Sequence, residues 1–316
     1  MQWRPKPLAA AAVLILAMTA AAVLFFRPAY SSNTMAPDTV LTVNGTPVSL
    51  DEFNLFLQNN KAMAASYFQS KYHADYSEGF WNTSYQGEKP IDYVKQRTVD
   101  ELKKLKVEQL LMKEHGEIRD LDFGQFRKSL EEENRARRAK IERQEQVYGL
   151  MQFSPLQYYS YLQSAHYTSL INTLMSDKKY SLPESVYRDY YERQKERYYN
   201  KGYLLEGQWL TDNPAADTVT LDLRTMSKED EAGRSLYNEA VKLSPGERSG
   251  PLPYNNGQAQ FQLTKKQPLG YSSYDEVRSD VKKLYIHEDI QKQLADRLNT
   301  AKVQLHSAVY DAIRLN

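Results

Sequence analysis

An uncharged run of 19 residues near the N-terminus constrains this chain more than any other feature. The run, Leu8–Phe26, follows Arg4 and Lys6 and is rich in Ala, Leu and Val. At a rise of about 1.5 Å per helical residue, it is just long enough to cross a hydrocarbon core of roughly 30 Å. The positive charges before it favour a cytoplasmic N-terminus. We therefore expect a single-pass membrane helix that leaves residues 30–316 outside the cytoplasm.

Two other interpretations of this run stay open. A cleaved export signal usually has a shorter apolar region of about 7–15 residues, and its removal would release a secreted protein. Small residues suited to cleavage follow at 29–31 and at 34–36. The third interpretation is a buried core helix. Residues 1–37 are therefore grouped as the cytoplasmic N-terminus, the anchor or signal, and a linker.

The composition excludes several classes of function. Lys and Arg number 41 and Asp and Glu number 40, for a formal net charge of +1, which argues against a nucleic-acid binder that works through bulk charge. The absence of Cys excludes disulfides, thiol chemistry and zinc–thiolate sites. The five His residues are scattered without metal-ligand spacing, and there is no phosphate-binding loop or nucleophile elbow. We expect no metal, no cofactor and no conventional catalytic group.

Residues 40–53 form the first specific motif. A short apolar strand is followed by Asn44-Gly45, which predicts a tight hairpin turn. Ser49 and Glu52 then have the spacing of a capping box in front of a helix. The segment resembles the opening of the N-terminal domain of extracytoplasmic chaperones and foldases of the SurA and PrsA kind. These proteins are related to parvulin-type peptidyl-prolyl isomerases.

Apolar residues recur at helical spacing through much of the remaining chain. Helices are predicted over residues 92–115, 125–148, 156–175, 181–200 and 272–305. The second of these is almost entirely polar, which predicts a solvated helix or, in a sharper interpretation, a projecting arm that contacts clients. The resemblance implies that the last helix returns to complete the N-terminal helical domain.

A second resemblance lies between residues 217 and 263. We assign a strand to 218–226, TVTLDLRTM, then a helix capped by Ser227, a turn and a closing strand. The turn resembles the Leu-x-Pro-Gly-Glu-x-Ser-x-Pro motif of parvulin domains. Its matching residues are Leu243, Pro245, Gly246, Glu247, Ser249 and Pro251.

The residues that carry isomerase chemistry in active parvulins are missing here. Gln258 and Ala259 follow Gly257 at the place where the family has an aromatic residue and a His. The strand assigned to 218–226 has no His, and the middle segment that supplies an acid or thiol in active parvulins is too short. The resemblance therefore carries no catalytic residue onto this chain.

Tyrosine is unusually frequent, at 24 of 316 residues. Its ring combines a large apolar body with one polar tip, which suits contact with unfolded chains of mixed sequence. The alternative is that these rings pack one helix against another. The candidate client-binding residues are Tyr158, Tyr159, Tyr161, Tyr190 and Tyr191.

Together these patterns predict a mainly α fold with a small α+β domain, behind an N-terminal membrane helix. We expect a helical SurA/PrsA-like chaperone domain over 38–200, a parvulin-like remnant over 201–271, and a C-terminal helix over 272–316 that packs on the chaperone domain. The expected function is that of an ATP-independent extracytoplasmic chaperone or foldase for unfolded or partly folded exported polypeptides. A divergent active isomerase and an adaptor for one folded envelope partner are the alternatives.

Overall fold

The computed structural model describes residues 38–211, 218–255 and 257–315. They are mainly helical, with small antiparallel sheets, as the sequence predicts. In chain order the elements are β1 (Thr39–Val43), β2 (Thr46–Ser49), α1 (Leu50–Tyr72), α2 (Pro90–Glu114), α3 (Phe123–Glu142), α4 (Pro155–Leu174), α5 (Glu184–Tyr198), β3 (Tyr203–Leu210), β4 (Thr218–Leu221), α6 (Glu231–Ala240), β5 (Arg248–Tyr254), β6 (Gly257–Pro268), α7 (Tyr274–Thr300), β7 (Val303–Leu305) and α8 (Ser307–Tyr310).

The predicted membrane helix, Leu8–Phe26, lies outside the described residues. In the parts of the chain that the structure does describe, none of the helices has the length and apolar character needed to cross a bilayer. The chain divides into two compact units. The first contains the described residues up to 110, with 120–158 and those from 300 onward, and the second contains 111–119 and the described residues of 159–299.

A sheet of strand order β2-β1-β7 opens the first unit. The predicted hairpin turn is confirmed, because Asn44 and Gly45 both have positive φ, at 49° and 81°. The end of the chain returns to this turn. The backbone N–H of Lys302 donates to Asn44 Oδ1 at 2.9 Å, and β7 then pairs antiparallel with β1.

A buried ion pair joins the first two helices of this unit. Ser49 is the predicted cap of α1, and its Oγ accepts a hydrogen bond from the Glu52 backbone N–H at 3.2 Å. The Glu52 carboxylate lies 2.9 Å from Nζ of Lys106 on α2, and each side chain is only 1% exposed. Lys106 Nζ also donates to the carbonyl of Leu121 at 3.4 Å, just before α3 begins. One buried cation therefore connects α1, α2 and the entry to α3.

The polar helix α3 is shorter than predicted. The sequence predicts a helix up to residue 148, whereas α3 ends at Glu142. Gln144 adopts a left-handed backbone with φ of 57°, and the N–H of Glu145 donates to the carbonyl of Lys140. This is the hydrogen-bond pattern of a Schellman stop, with Gln in place of the usual Gly. The sequence gives no strong signal for such a stop, since Gln rarely adopts a left-handed conformation.

The second unit contains a sheet of strand order β4-β3-β6-β5. The sequence predicts 218–226 as the first strand, but β3 precedes it and lies at the centre of the sheet. Gly207 in β3 has no side chain because a Cβ there would lie 2.2 Å from the ring of Phe261. On α6, the Tyr237 hydroxyl accepts from the Tyr203 N–H at 2.9 Å, which ties the helix to the sheet. The predicted helix cap, Ser227, is also wrong. Asp230 caps α6 instead, by accepting from Gly233 N at 2.8 Å.

The buried ion pair makes a sharp stability prediction. Replacement of Lys106 by Met leaves the Glu52 carboxylate buried without its cation, so we expect the free energy of unfolding to fall by about 3–5 kcal/mol. Urea unfolding followed by circular dichroism measures this change. The matched control is Lys104→Met on the same helix, whose Lys side chain is exposed, and it should change stability by less than about 0.5 kcal/mol.

If Lys106→Met does not fold, the double variant Glu52→Gln, Lys106→Met provides the measurement, since it removes both charges and should recover part of the loss. A Lys106→Met protein that is as stable as its Lys104→Met counterpart would contradict the role given to the pair.

Candidate functional site

Four of the five tyrosines predicted to bind clients lie in the interior. Tyr158 belongs to the first unit, and its ring lies 5.6 Å from the ring of Phe126 and 5.6 Å from that of Phe153. Tyr159 is buried as well. These rings form core contacts, which is the alternative that the sequence left open, and they offer little area to a partner.

The α5 tyrosines are packed against neighbouring aromatic rings of the second unit. Tyr190 lies 5.3 Å from Tyr285, and burial raises the pKa of the Tyr190 hydroxyl. Tyr191 lies 5.7 Å from Tyr274 and donates its hydroxyl to the carbonyl of Ser272 at 2.7 Å. Of the five candidates, only Tyr161 is exposed, at 47%. Client contact by the five tyrosines stays a prediction, and the structure makes Tyr161 its accessible member.

A different group of apolar side chains is exposed at the junction of α3 and α4. Residues 143–154 form the connection, which we call the α3–α4 loop. Exposed fractions are 77% for Tyr148, 44% for Leu150 and 71% for Met151, and Ile141 in the last turn of α3 is 42% exposed. Four large apolar side chains within eleven residues form a surface cluster of the kind that marks interaction sites.

The backbone of this loop is fixed to α3 by a buried amide. Asn134 Nδ2 donates to the carbonyl of Phe153 at 2.9 Å, and Asn134 Oδ1 accepts from the Phe153 N–H at 2.8 Å. Both residues are buried. The asparagine side chain therefore acts as a backbone-like partner for the loop, and it satisfies two polar groups that would be costly to bury without a partner.

Arg137 holds the other end of the loop. Its Nε lies 2.8 Å from Glu133 Oε1, and its guanidinium carbon lies 4.5 Å from the ring centre of Phe153. Nη1 donates to the carbonyl of Tyr148 at 3.1 Å and also to that of Leu150. One side chain thus fixes the backbone on both sides of Gly149, whose positive φ of 77° permits the sharp turn between them.

This arrangement inverts the usual segregation of side chains. Asn134 and Arg137 of the polar helix α3 bind the backbone of the loop, while the large apolar side chains Tyr148, Leu150 and Met151 are exposed to solvent. A loop fixed in this way loses little conformational entropy when a partner binds to it. Tyr and Met are also suited to partners of mixed sequence, because one is amphipathic and the other is flexible and polarisable.

The sequence does not predict this cluster. The pattern of residues 125–148 predicts one polar helix that includes Tyr148, and it assigns no role to Leu150 and Met151. The available signal is the short apolar stretch VYGLMQF, which lies between a polar helix and the next helix start. No sequence signal marks Asn134 and Arg137 as anchors, since a buried polar residue in a polar helix resembles its solvated neighbours.

Several cationic side chains lie on α3, just before the exposed apolar cluster in the sequence. Arg135, Arg138 and Lys140 are all exposed. Arg143 forms an ion pair with Glu145 at 2.6 Å, and its hydrogen bond holds the pKa of that carboxyl below its usual value. The cluster therefore combines exposed apolar side chains with a local excess of cations.

The β4-β3-β6-β5 sheet contains several amide side chains that pair with each other or with the backbone. Gln208 Nε2 donates to Gln262 Oε1 at 3.2 Å, and Gln260 Nε2 donates to the Ser249 carbonyl at 3.2 Å. Ala259 is partly buried against the core of the sheet. In the described residues of β3, β4, β5 and β6 there is no His, Asp or Cys.

The motif residues of this sheet have structural roles. Glu247 accepts from the Ser244 N–H at 2.6 Å, which closes the turn, and Gly246 has the positive φ of 94° that the turn requires. Ser249 Oγ accepts from the Phe261 N–H at 2.9 Å and so joins β5 to β6. Among the described residues, no group of His, Asp or Glu is arranged to hold a metal ion.

No protein-family profile matches this chain, and no curated protein matches it. Solved structures do match. A SurA-like chaperone of Campylobacter jejuni is 13% identical, with a TM-score of 0.33 over 84% of this chain and 98% of the other. The foldase PrsA of Lactococcus lactis is 12% identical, with a TM-score of 0.24 over 86% and 96% of the two chains. The peptidyl-prolyl isomerase PrsA of Bacillus anthracis is 14% identical, with a TM-score of 0.20 over 68% and 99%.

The anchoring of the loop can be tested directly. Asn134→Ala removes both hydrogen bonds to Phe153, so we expect the free energy of unfolding to fall by about 1–3 kcal/mol. Backbone amides of residues 144–153 should exchange with solvent faster than in the unsubstituted chain, while those of β1 stay protected. Hydrogen exchange followed by mass spectrometry measures both. The control is Gln96→Ala, which removes an exposed side-chain hydrogen bond to Asp100. Unchanged exchange across the loop would refute the anchor.

Proposed function

We propose that this chain is an ATP-independent chaperone or foldase that acts outside the cytoplasm and shields apolar segments of exported proteins. The α3–α4 loop is its client-contact surface. The observation that carries the proposal is the exposure of Ile141, Tyr148, Leu150 and Met151 on a backbone that Asn134 and Arg137 hold in place. The sequence motifs at residues 40–53 and 243–251 support the same class of protein.

Shielding of this kind needs no energy source. Unfolded chains expose apolar side chains, and burial of apolar area against the loop is favourable without a directional contact. Four exposed side chains offer enough area for weak and reversible binding, which lets a client leave and fold. Holding a client in this way requires no catalytic chemistry in the loop.

Extracytoplasmic placement is part of the proposal. It rests on Arg4, Lys6 and the apolar run Leu8–Phe26, which act as an uncleaved anchor or as an export signal that is removed. An anchored chaperone would meet its clients as they emerge from the membrane. Both placements leave the α3–α4 loop on the same side of the membrane as exported clients.

The first test concerns the apolar cluster. The variant Ile141→Ser, Tyr148→Ser, Leu150→Ser, Met151→Ser should lose most of its ability to suppress the aggregation of several unrelated unfolded proteins. Its melting temperature should change little, because exposed substitutions usually alter stability by less than about 0.5 kcal/mol each. The matched control replaces two other exposed apolar residues, Met63→Ser and Tyr76→Ser, and should retain suppression.

Buried tyrosines should behave differently in the same experiment. Tyr158→Ser and Tyr190→Ser each create a cavity, so each should lower the free energy of unfolding by about 3–5 kcal/mol.

Suppression of the aggregation of one client and not of others would favour an adaptor for a single partner. Full suppression by the four-residue variant would remove the α3–α4 loop from the proposal.

The second test concerns catalysis. We propose that the parvulin-like sheet has lost isomerase activity, since rotation about the imide has a barrier of about 18–20 kcal/mol. The described strands of the sheet have no thiol or imidazole to lower it, and their one carboxylate, Glu206, is paired with Lys265 at 2.8 Å. The full chain should leave the rate of X-Pro isomerisation at its uncatalysed value in a protease-coupled peptide assay. Ala259→His should not restore activity, because the other groups of the site are missing as well. A rate enhancement that a point substitution in β3 or β6 abolishes would establish the alternative of a divergent active isomerase.

A further inference from the structure

We infer that the α3–α4 loop selects client segments in which acidic residues flank apolar side chains. This inference rests on the proposed function and names the class of segment that the surface takes. The chain as a whole carries a formal charge of +1, yet its charges are distributed unevenly. The loop is attached to the most basic stretch of α3.

Residues 135–143 contain five basic residues and one acidic residue, in the sequence RARRAKIER. Two of the basic residues have internal partners, since Arg137 binds Glu133 and the loop carbonyls and Arg143 binds Glu145. Arg135, Arg138 and Lys140 are exposed, and none of them forms an ion pair within the part of the chain that the structure describes. Three cations therefore remain available to a partner beside the exposed apolar cluster.

Helical spacing places two of these cations in line with the cluster. Arg135 and Arg138 are adjacent on the surface of α3, as are Arg138 and Ile141, because each pair is three residues apart; the three positions together cover about 120° of the helix. From Arg135 to Ile141 the helix advances by about 9 Å. An extended peptide covers that distance in about three residues. A client segment whose carboxylates lie about three residues from an aromatic or aliphatic side chain therefore reaches both parts of the surface.

An anionic membrane is the other partner that cations and apolar side chains could serve, and the composition of the loop disfavours it. Glu142, Gln144, Glu145 and Gln146 are interspersed with the apolar residues and are exposed. Insertion of this surface into a bilayer would bury these four polar side chains, two of which are carboxylates, and that burial is costly. A peptide lies on the surface and leaves them hydrated.

The charge of the cations also sets the salt dependence. Binding through the apolar cluster alone tolerates salt, because apolar burial is screened little by ions. The added preference for acidic segments acts between exposed charges, and it should vanish at ionic strengths near 1 M, where the Debye length is only about 3 Å. Salt therefore separates the two contributions within one protein.

The test uses three fluorescent peptides with the same aromatic and aliphatic residues and with Asp, Gln or Lys at the flanking positions. Fluorescence anisotropy at low salt should rank their affinities for the full chain in the order Asp, Gln, Lys, with about tenfold between the first and the last, since each exposed ion pair contributes modestly. In about 1 M salt the three affinities should converge.

Charge reversal provides the decisive variant. Arg135→Glu, Arg138→Glu, Lys140→Glu should invert the order of the three peptides. The matched control, Lys128→Glu, Lys228→Glu, Lys292→Glu, makes the same change in net charge at exposed positions outside residues 135–154 and should keep the original order. If the reversed protein does not fold by circular dichroism, the milder variant with Gln at the three positions should bind all three peptides with equal affinity.

The outcomes separate this inference from the function on which it depends. If the apolar four-residue variant loses all three peptides but charge reversal leaves the order unchanged, the loop binds clients and the acidic preference is wrong. If the apolar variant binds all three peptides normally, the loop is not the client surface and both proposals fail. If charge reversal weakens binding to phosphatidylglycerol vesicles and leaves the peptide order intact, the cations serve a membrane, and that result also overturns the inference.

Discussion

The ion pair between Glu52 and Lys106 is the constraint on which the first unit depends. Both groups are withdrawn from water, so neither can be removed alone without leaving a buried charge. Because Lys106 also donates to the carbonyl of Leu121, the position of the pair determines where the chain enters α3. The α3–α4 loop therefore follows a helix whose start is fixed to the core by the hydrogen bond from Lys106 to Leu121. Hydrophobic contacts alone tolerate small shifts between helices. A shift that separates a buried ion pair leaves both charges without the partner that offsets their desolvation.

The candidate site combines polar side chains that bind the loop backbone with apolar side chains that are exposed to solvent. Asn134 and Arg137 satisfy backbone groups of Phe153, Tyr148 and Leu150, which removes the need for regular secondary structure in the loop. An irregular loop can then keep its shape without burying its own apolar side chains. A surface of this kind is rigid in its backbone and adaptable in its side chains. That combination serves binding of many sequences better than a deep pocket, which would select one shape.

In the β4-β3-β6-β5 sheet, the side chains of the recognisable turn motif stabilise the fold itself. Glu247 and Ser249 belong to the motif that identifies the turn, and their side chains bind backbone N–H groups rather than a substrate. Gly207 is required by the ring of Phe261. These residues determine whether the sheet folds. Other polar side chains of the sheet pair with one another or with the backbone: Gln208 donates to Gln262, Gln260 donates to the Ser249 carbonyl, and Glu206 forms an ion pair with Lys265.

The sequence by itself determined the elements whose signals are local. The hairpin at Asn44-Gly45, the cap at Ser49 and the long helices α2 and α4 follow from turn chemistry and from apolar periodicity, which act within a few residues. It also indicated the resemblance of the turn at 243–251. Tertiary structure decided the rest. The end of α3 depends on a left-handed Gln144, the burial of Tyr158 and Tyr190 depends on rings distant in sequence, and the exposure of Met151 depends on anchors at Asn134 and Arg137. A tyrosine in an amphipathic helix has the same local pattern whether a neighbouring element covers it or water does, so only the packing of separate segments distinguishes a core ring from a binding surface.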